Sequence, residues 1–392
     1  MSRPLRVLVA ACVVALLVAA GCSDSGSDST SSGSRDARTT PATRRAVTPV
    51  PGDEWEKVDP EEAGFDPAKL EEIARVAETG KSHCLLVVRD GKIAGEWYFR
   101  GTGPESVQEV FSATKSVTST LVGIAQDEGD LRITDSASRW IDEWRNTPAE
   151  AVTVKNLVSN DSGRQWSLVT DYSQMLSADN KTQFAIDLPQ EYPPGTVWAY
   201  NNSAIQTLQR VLARATGEDV VDFARERLFE PIGMDDSHMT TDPAGNALVF
   251  MGLQSTCRDM ARFGVLMLNQ GRWGDEQVVS PEWVEAATGR SSTELNAAYG
   301  YLWWLNRPGV LASPYAATSI EAAANPTTRR GQMVPGAPED LFWAQGLGNQ
   351  IVQVDPGSRT VVVRLGTSEP TPRPPTFGSG EASRVITEAL QD

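Results

Sequence analysis

"CLLVVRDGKIAGEWYF", residues 84–99, decides the fold. Two short apolar runs flank Asp90-Gly91, and an Asp-Gly pair in that setting is a strong hairpin signal, so a sheet starts early in the chain. The pattern returns near the other end in "NQIVQVDPGSRTVVVRLG", residues 349–366, with Pro356-Gly357 at the turn, and "EASRVITEALQD", residues 381–392, reads as a closing helix. Helical periodicity fills the middle. It covers the stretch after Ser112, "NSAIQTLQRVLARATG" (202–217) with Asn202 placed to cap it, and "CRDMARFGVLMLNQG" (257–271) ending at Gly271. Strands at both ends and helices between them predict an α/β (α+β) fold. An antiparallel sheet built from about 84–100 and 340–392 is flanked by helices, with a mainly helical second lobe over roughly 125–300 and a cleft between the two. There is no internal repeat and no second linker.

The chain has 392 residues, and 51 acidic against 35 basic side chains give a net charge of -16, which argues against binding nucleic acid by neutralising phosphates. The plain reading of that charge is solubility. Arg3 and Arg6 precede an apolar run from Val7 to Gly21 that ends "LVAAGC" at Cys22, an export signal too short to span a bilayer comfortably. It resembles a bacterial lipoprotein signal, in which small residues precede a cysteine that becomes lipidated. Ala19 stands where leucine or valine is more usual, so cleavage without lipidation is the alternative. Residues 23–52, rich in Ser, Thr, Gly, Asp and Pro, have the composition of a flexible tether, and the folded domain is expected over 53–392. The expected location is outside the cell, on the membrane through a lipid at Cys22, or free if unlipidated. Cys84 and Cys257 then remain, and in an oxidising compartment they allow one disulfide; two separate buried thiols fit the sequence equally well.

"EVFSATKSVTSTLVGIAQDEG", residues 109–129, sets Ser112 and Lys115 one turn apart at the start of a helix, within hydrogen-bond reach if both face the cleft. A lysine can take the serine proton only if burial first depresses its pKa, and a serine at a helix start gains from the helix dipole when charge builds on an attacked carbonyl. Of the seven tyrosines only Tyr200 has asparagine two places later, Asn202, in a loop before a helix. A phenol held between lysine and serine can relay or take the proton. Third, "FWAQGLGNQIVQVDP" runs an apolar strand into Gly346 and Gly348, where another backbone or a substrate can approach closely.

Together these stretches resemble the serine β-lactamase and penicillin-binding-protein superfamily, whose motifs are Ser-x-x-Lys, Tyr/Ser-x-Asn and a Lys/His-Thr/Ser-Gly strand. "VDPEEAGFDPAKLEEI", "VTVKNLVSNDSG", "LFEPIGMDDS" and "STCRDMARFGVLMLNQGRW" extend the likeness to the class C β-lactamase-related branch, from Trp55 to the C-terminus. "SNDSGRQWSLVTDYS", "AAYGYLWWLN" and "FWAQGLGNQ" look closest to its esterases and 6-aminohexanoate-dimer hydrolases. The resemblance implies an acylated nucleophile at Ser112, activated by Lys115, with Tyr200 as general base or proton shuttle and Asn202 holding the substrate or Lys115. Oxyanion donors would be the N–H groups of Ser112 and Leu347, with Gln345 and Gly346 beside the substrate. Trp166, Asp171, Tyr172, Trp198, Trp303 and Trp343 would line an acyl or amide pocket.

One departure stands out. No lysine follows Lys181, and Ala344-Gln345-Gly346 occupies the place of the family's basic residue, which helps to hold a substrate carboxylate; Arg329 or Arg330 would have to substitute from a loop. The expected function is therefore an exported serine hydrolase cleaving an ester, amide, lactam or peptide-like bond of a small molecule. The alternatives are a non-catalytic or slowly acylating penicillin-binding-type lipoprotein that binds cell-wall peptide, and a true β-lactamase or D-alanyl-D-alanine carboxypeptidase. No cofactor or metal is expected, since there is no H-E-x-x-H or C-x-x-C and Gly346-x-Gly348 lacks the third glycine of a dinucleotide loop; a Ser-His-Asp hydrolase is disfavoured by the absence of G-x-S-x-G, and His83 and His238 read as structural. The Pro-, Ala- and Thr-rich segment 306–342 reads as a lid.

Overall fold

The computed structural model describes residues 48–367 and 376–391, so the signal sequence, Cys22 and most of the tether lie outside the described residues. Its centre is a six-stranded antiparallel sheet of β1 (Ser82–Arg89), β2 (Lys92–Tyr98), β3 (Trp304–Leu305), β4 (Phe342–Gly346), β5 (Gln350–Asp355) and β6 (Thr360–Gly366), in the order β2-β1-β6-β5-β4-β3. The first hairpin turns where the Asp-Gly pair predicts: Arg89 faces Lys92, and Asp90 and Gly91 take φ of 51° and 79°, the left-handed conformations that a tight two-residue turn requires. The sheet closes across the sequence by pairing β1 with β6, Val87 opposite Val362.

Alternation along the strands assigns two cores. Leu85, Val87, Ile351 and Val362 face one side, and Cys84, Leu86, Val88, Val361 and Val363 face the other. The helices that frame the site are α1 (Pro67–Thr79), α2 (Thr114–Asp127), α3 (Asn202–Gln206), α4 (Leu208–Thr216), α5 (Cys257–Leu268) and α6 (Ser379–Arg384). Leu70 and Ile73 of α1 and Ala382 of α6 cover the first face. Met260 and Phe263 of α5 join the larger second core, which continues into the helical lobe through Val117 and Leu121 of α2 and Val211 and Leu212 of α4.

Several details differ from the sequence reading. The pattern over 202–217 is two helices, broken at Thr207, whose hydroxyl donates to the Ala204 carbonyl at 2.6 Å. The cap is Asn201, whose Oδ1 accepts from Ala204 N at 2.8 Å, while Asn202 is already helical. The helix begun at Cys257 stops at Leu268, three residues short of Gly271. Residues 48–52 are docked on the domain and do not behave as tether: Thr48 exchanges two hydrogen bonds with Asn269 (2.7 and 2.8 Å), and Arg262 donates to the Pro51 and Gly52 carbonyls. Cys84 of β1 and Cys257 of α5 are joined as a disulfide, with Cα atoms 6.6 Å apart. The segment 306–342 is no bare lid. It carries the pairs Gly309–Val310 with Arg330–Gly331 and Thr318–Ser319 with Val197–Trp198, pieces too short for periodicity to reveal. Among the described residues no helix is long and apolar enough to cross a membrane, and no cluster of His, Cys, Asp and Glu has metal-site geometry.

Candidate active site

Ser112 sits in the single helical turn Phe111–Ala113 that leads into α2. Phe111, a bulky residue, takes φ of 49°, a strained conformation that costs on the order of 1–3 kcal/mol and aims the next residue out of the turn. Lys115 lies one turn deeper and is 1% exposed. Its Nζ donates to Ser112 Oγ at 2.8 Å and to the Phe250 carbonyl at 2.7 Å, and it stands 4.9 Å from the centre of the Tyr200 ring. Burial pulls the Lys115 pKa down to about 7, against the opposing charge of Asp171.

The second element comes from the loop before α3. Tyr200 is buried, stacked on Trp304 at 5.6 Å, with its hydroxyl in hydrogen-bonding reach of Ser112. Burial pushes that phenol well above its ordinary value, so it is neutral at physiological pH and suits proton relay better than it suits service as a tyrosinate base. Beneath the loop Asp171, fully buried on the π-helical turn Thr170–Gln174, accepts from Asn202 N (2.6 Å), Ser203 N (3.3 Å) and Ser203 Oγ (2.6 Å). Burial raises its pKa to about 6, and those hydrogen bonds and Lys115 hold it back.

The third element is the end of β4. Strand β3 pairs only with Phe342 and Trp343, so Gln345 and Gly346 form an open edge along the cleft. A Cβ on Gly346 would collide with the Val110 carbonyl and come within 3.2 Å of Ala113 N; only glycine lets the strand end press against the Ser112 turn. The cavity between these elements has a volume of about 360 Å³.

The structure brings Ser112, Tyr200 and Asn202 to this cleft, with Tyr172, Gln345, Gly346 and Leu347 around them and Lys115 beneath Ser112. Four expected pocket aromatics are corrected. Trp343 and Trp198 are fully buried, the first donating to Gln353 Oε1 at 2.8 Å and the second edge-on to Tyr299. Trp303 is core too, stacked on Phe263, and its neighbour Trp304, the first residue of β3, lines the cleft. Trp166 reaches the site only from behind, donating to the Tyr200 carbonyl at 2.9 Å, and lines a separate small depression. Arg330 is spent on the Ala323 carbonyl and borders another depression, and neither it nor Arg329 lines the cleft. Sequence reasoning missed the Phe250 carbonyl, Trp304 and Tyr315. A backbone acceptor carries no sequence signal, and Tyr315 sits in a segment without periodicity.

A helix-flanked antiparallel sheet with a Ser-x-x-Lys turn against its free edge defines a class of serine-hydrolase fold. A family model described as Beta-lactamase matches residues 76–379, and the chain belongs to that family. A 6-aminohexanoate-dimer hydrolase of Paenarthrobacter ureafaciens is 23% identical over 250 residues, 59% of this chain and 64% of that protein. Penicillin-binding protein 4 of Amycolatopsis lactamdurans is 28% identical over 212 residues, 51% of each chain. The chain thus spans between half and two thirds of these relatives' length. The octameric penicillin-binding protein homologue from Pyrococcus abyssi shares the fold at a TM-score of 0.59 and 19% identity, covering 82% of this chain and 77% of that one.

Proposed function

We propose that the protein is an exported serine hydrolase that cleaves an ester or amide through a Ser112 acyl-enzyme. The observation that carries the reading is Lys115: a fully buried amine, 2.8 Å from Ser112 Oγ, that loses its proton near pH 7. Once neutral it takes the Ser112 proton as Oγ bonds to the substrate carbonyl carbon, and the N–H groups of Ser112 and Leu347 receive the oxyanion. The tetrahedral adduct collapses with loss of the alcohol or amine, which leaves with that proton relayed through Tyr200. Water then attacks the acyl-serine, releases the acid and returns the proton to Oγ. Asn202 and Gln345 border the substrate. Membership of the Beta-lactamase family and the likeness to a 6-aminohexanoate-dimer hydrolase support hydrolysis, and the lipoprotein-like run ending at Cys22 supports an anchor outside the cell.

The test is hydrolysis of p-nitrophenyl esters by the full chain beside Ser112→Ala. The variant should keep its circular dichroism spectrum and lose turnover; hydrolysis at the parent rate would sink the mechanism. Growth with labelled palmitate, with and without Cys22→Ala, checks the anchor.

A further inference from the structure

We infer that the substrate is an uncharged ester or amide with an apolar acyl chain and no carboxylate near the reacting carbonyl; the inference rests on the Ser112 acyl-enzyme reading. Among the described residues that line the cleft there is no arginine, lysine or histidine. Ala344, fully buried, stands where the motif ending at Gly346 would carry its basic residue, and the next residue, Gln345, lines the cleft with its Nε2 buried without a partner, a neutral donor suited to a carbonyl. Arg330 of the segment above donates to the Ala323 carbonyl and borders a different depression, and the buried Arg364 behind the cleft wall is spent on the Gly348, Asn349 and Gly80 carbonyls.

Charge at the floor points the same way. Asp171 borders the cavity and is ionised above about pH 6, and Lys115 is neutral above about 7, so above about pH 7 this pair leaves the floor with negative charge. The other titratable groups lining it, Tyr200, Tyr172 and Tyr315, are phenols and add no positive charge, and burial raises the pKa of the first two. A carboxylate entering here would be stripped of water, unpaired and repelled.

The walls supply what such a floor lacks. Tyr172 (43% exposed), Leu176 (40%), Tyr315 (67%) and Leu347 (59%) are large apolar side chains left in solvent, and all four ring this one cavity. An acyl chain laid between them removes that surface from water. The volume of about 360 Å³ falls within the roughly 300–1,000 Å³ usual for small-molecule sites.

The experiment compares p-nitrophenyl pentanoate with mono-p-nitrophenyl glutarate, chains of equal length that differ in a terminal carboxylate, using the full chain. We expect kcat/KM to favour pentanoate by roughly 100-fold or more, and Gln345→Lys to narrow that ratio by about tenfold. Equal turnover of the two esters, or preference for glutarate, in a Ser112-dependent reaction overturns the substrate inference alone. Pentanoate hydrolysis that survives Ser112→Ala removes the acyl-enzyme reading on which it rests.

Discussion

Lys115 is a cation stripped of its water. Its neighbours are a serine hydroxyl, a carbonyl and two aromatic rings, none of which offers the full negative charge that would hold the proton in place. Lys115→Ala should slow acylation of Ser112 by about 10²–10⁴-fold, read as the rate of fluorophosphonate labelling; a rate within a factor of a few of the parent would mean another base. In the parent, labelling should rise as pH climbs through about 7, because the neutral amine is the active form. Asp171 favours the protonated amine, so Asp171→Asn should move that rise to lower pH, whereas a residue that only braces the loop would lower the rate without moving the midpoint. Ser112, Lys115 and Tyr200 were legible because each is a distinctive chemical type at a fixed spacing. The part played by Asp171 beneath the motif was not, since it acts on backbone N–H groups 31 and 32 residues away.

The strand β4 does its work by ending early in its pairing. With β3 covering only Phe342 and Trp343, the last residues of β4 are free for a substrate, and Gly346 lets them meet the turn before α2. Gly346→Ala should therefore cut labelling of Ser112 by roughly 100-fold while leaving the circular dichroism spectrum unchanged. Unaltered labelling would show that the strand end and the turn need not touch. Hairpins and helices were readable from turn residues and periodicity. Single-residue registers were not: the cap fell on Asn201, one place before the residue chosen, and the cleft aromatic was Trp304, one place after. A one-residue slip reverses which face a strand residue serves, and nothing in two adjacent tryptophans says which is inside.

The whole sheet depends on segments that begin and end the domain, with β1 in its interior beside β6. The disulfide ties that strand to α5 across 173 residues of sequence, constraining a long loop in the unfolded chain. Replacing both cysteines by alanine should lower stability by about 2–5 kcal/mol, seen as a fall in the urea midpoint with the slope nearly unchanged; an unmoved midpoint would contradict the link. The sequence held the architecture in its two hairpins but left the pairing of Cys84 with Cys257 open, because only the fold decides which Cα atoms approach. The most direct measurement on the molecule is intact and peptide mass spectrometry after exposure to a fluorophosphonate, with Lys115→Ala alongside. One adduct, mapped to Ser112 and suppressed in the variant, is the predicted result. A folded protein that takes no adduct, or takes it equally without Lys115, would contradict an activated serine at this site.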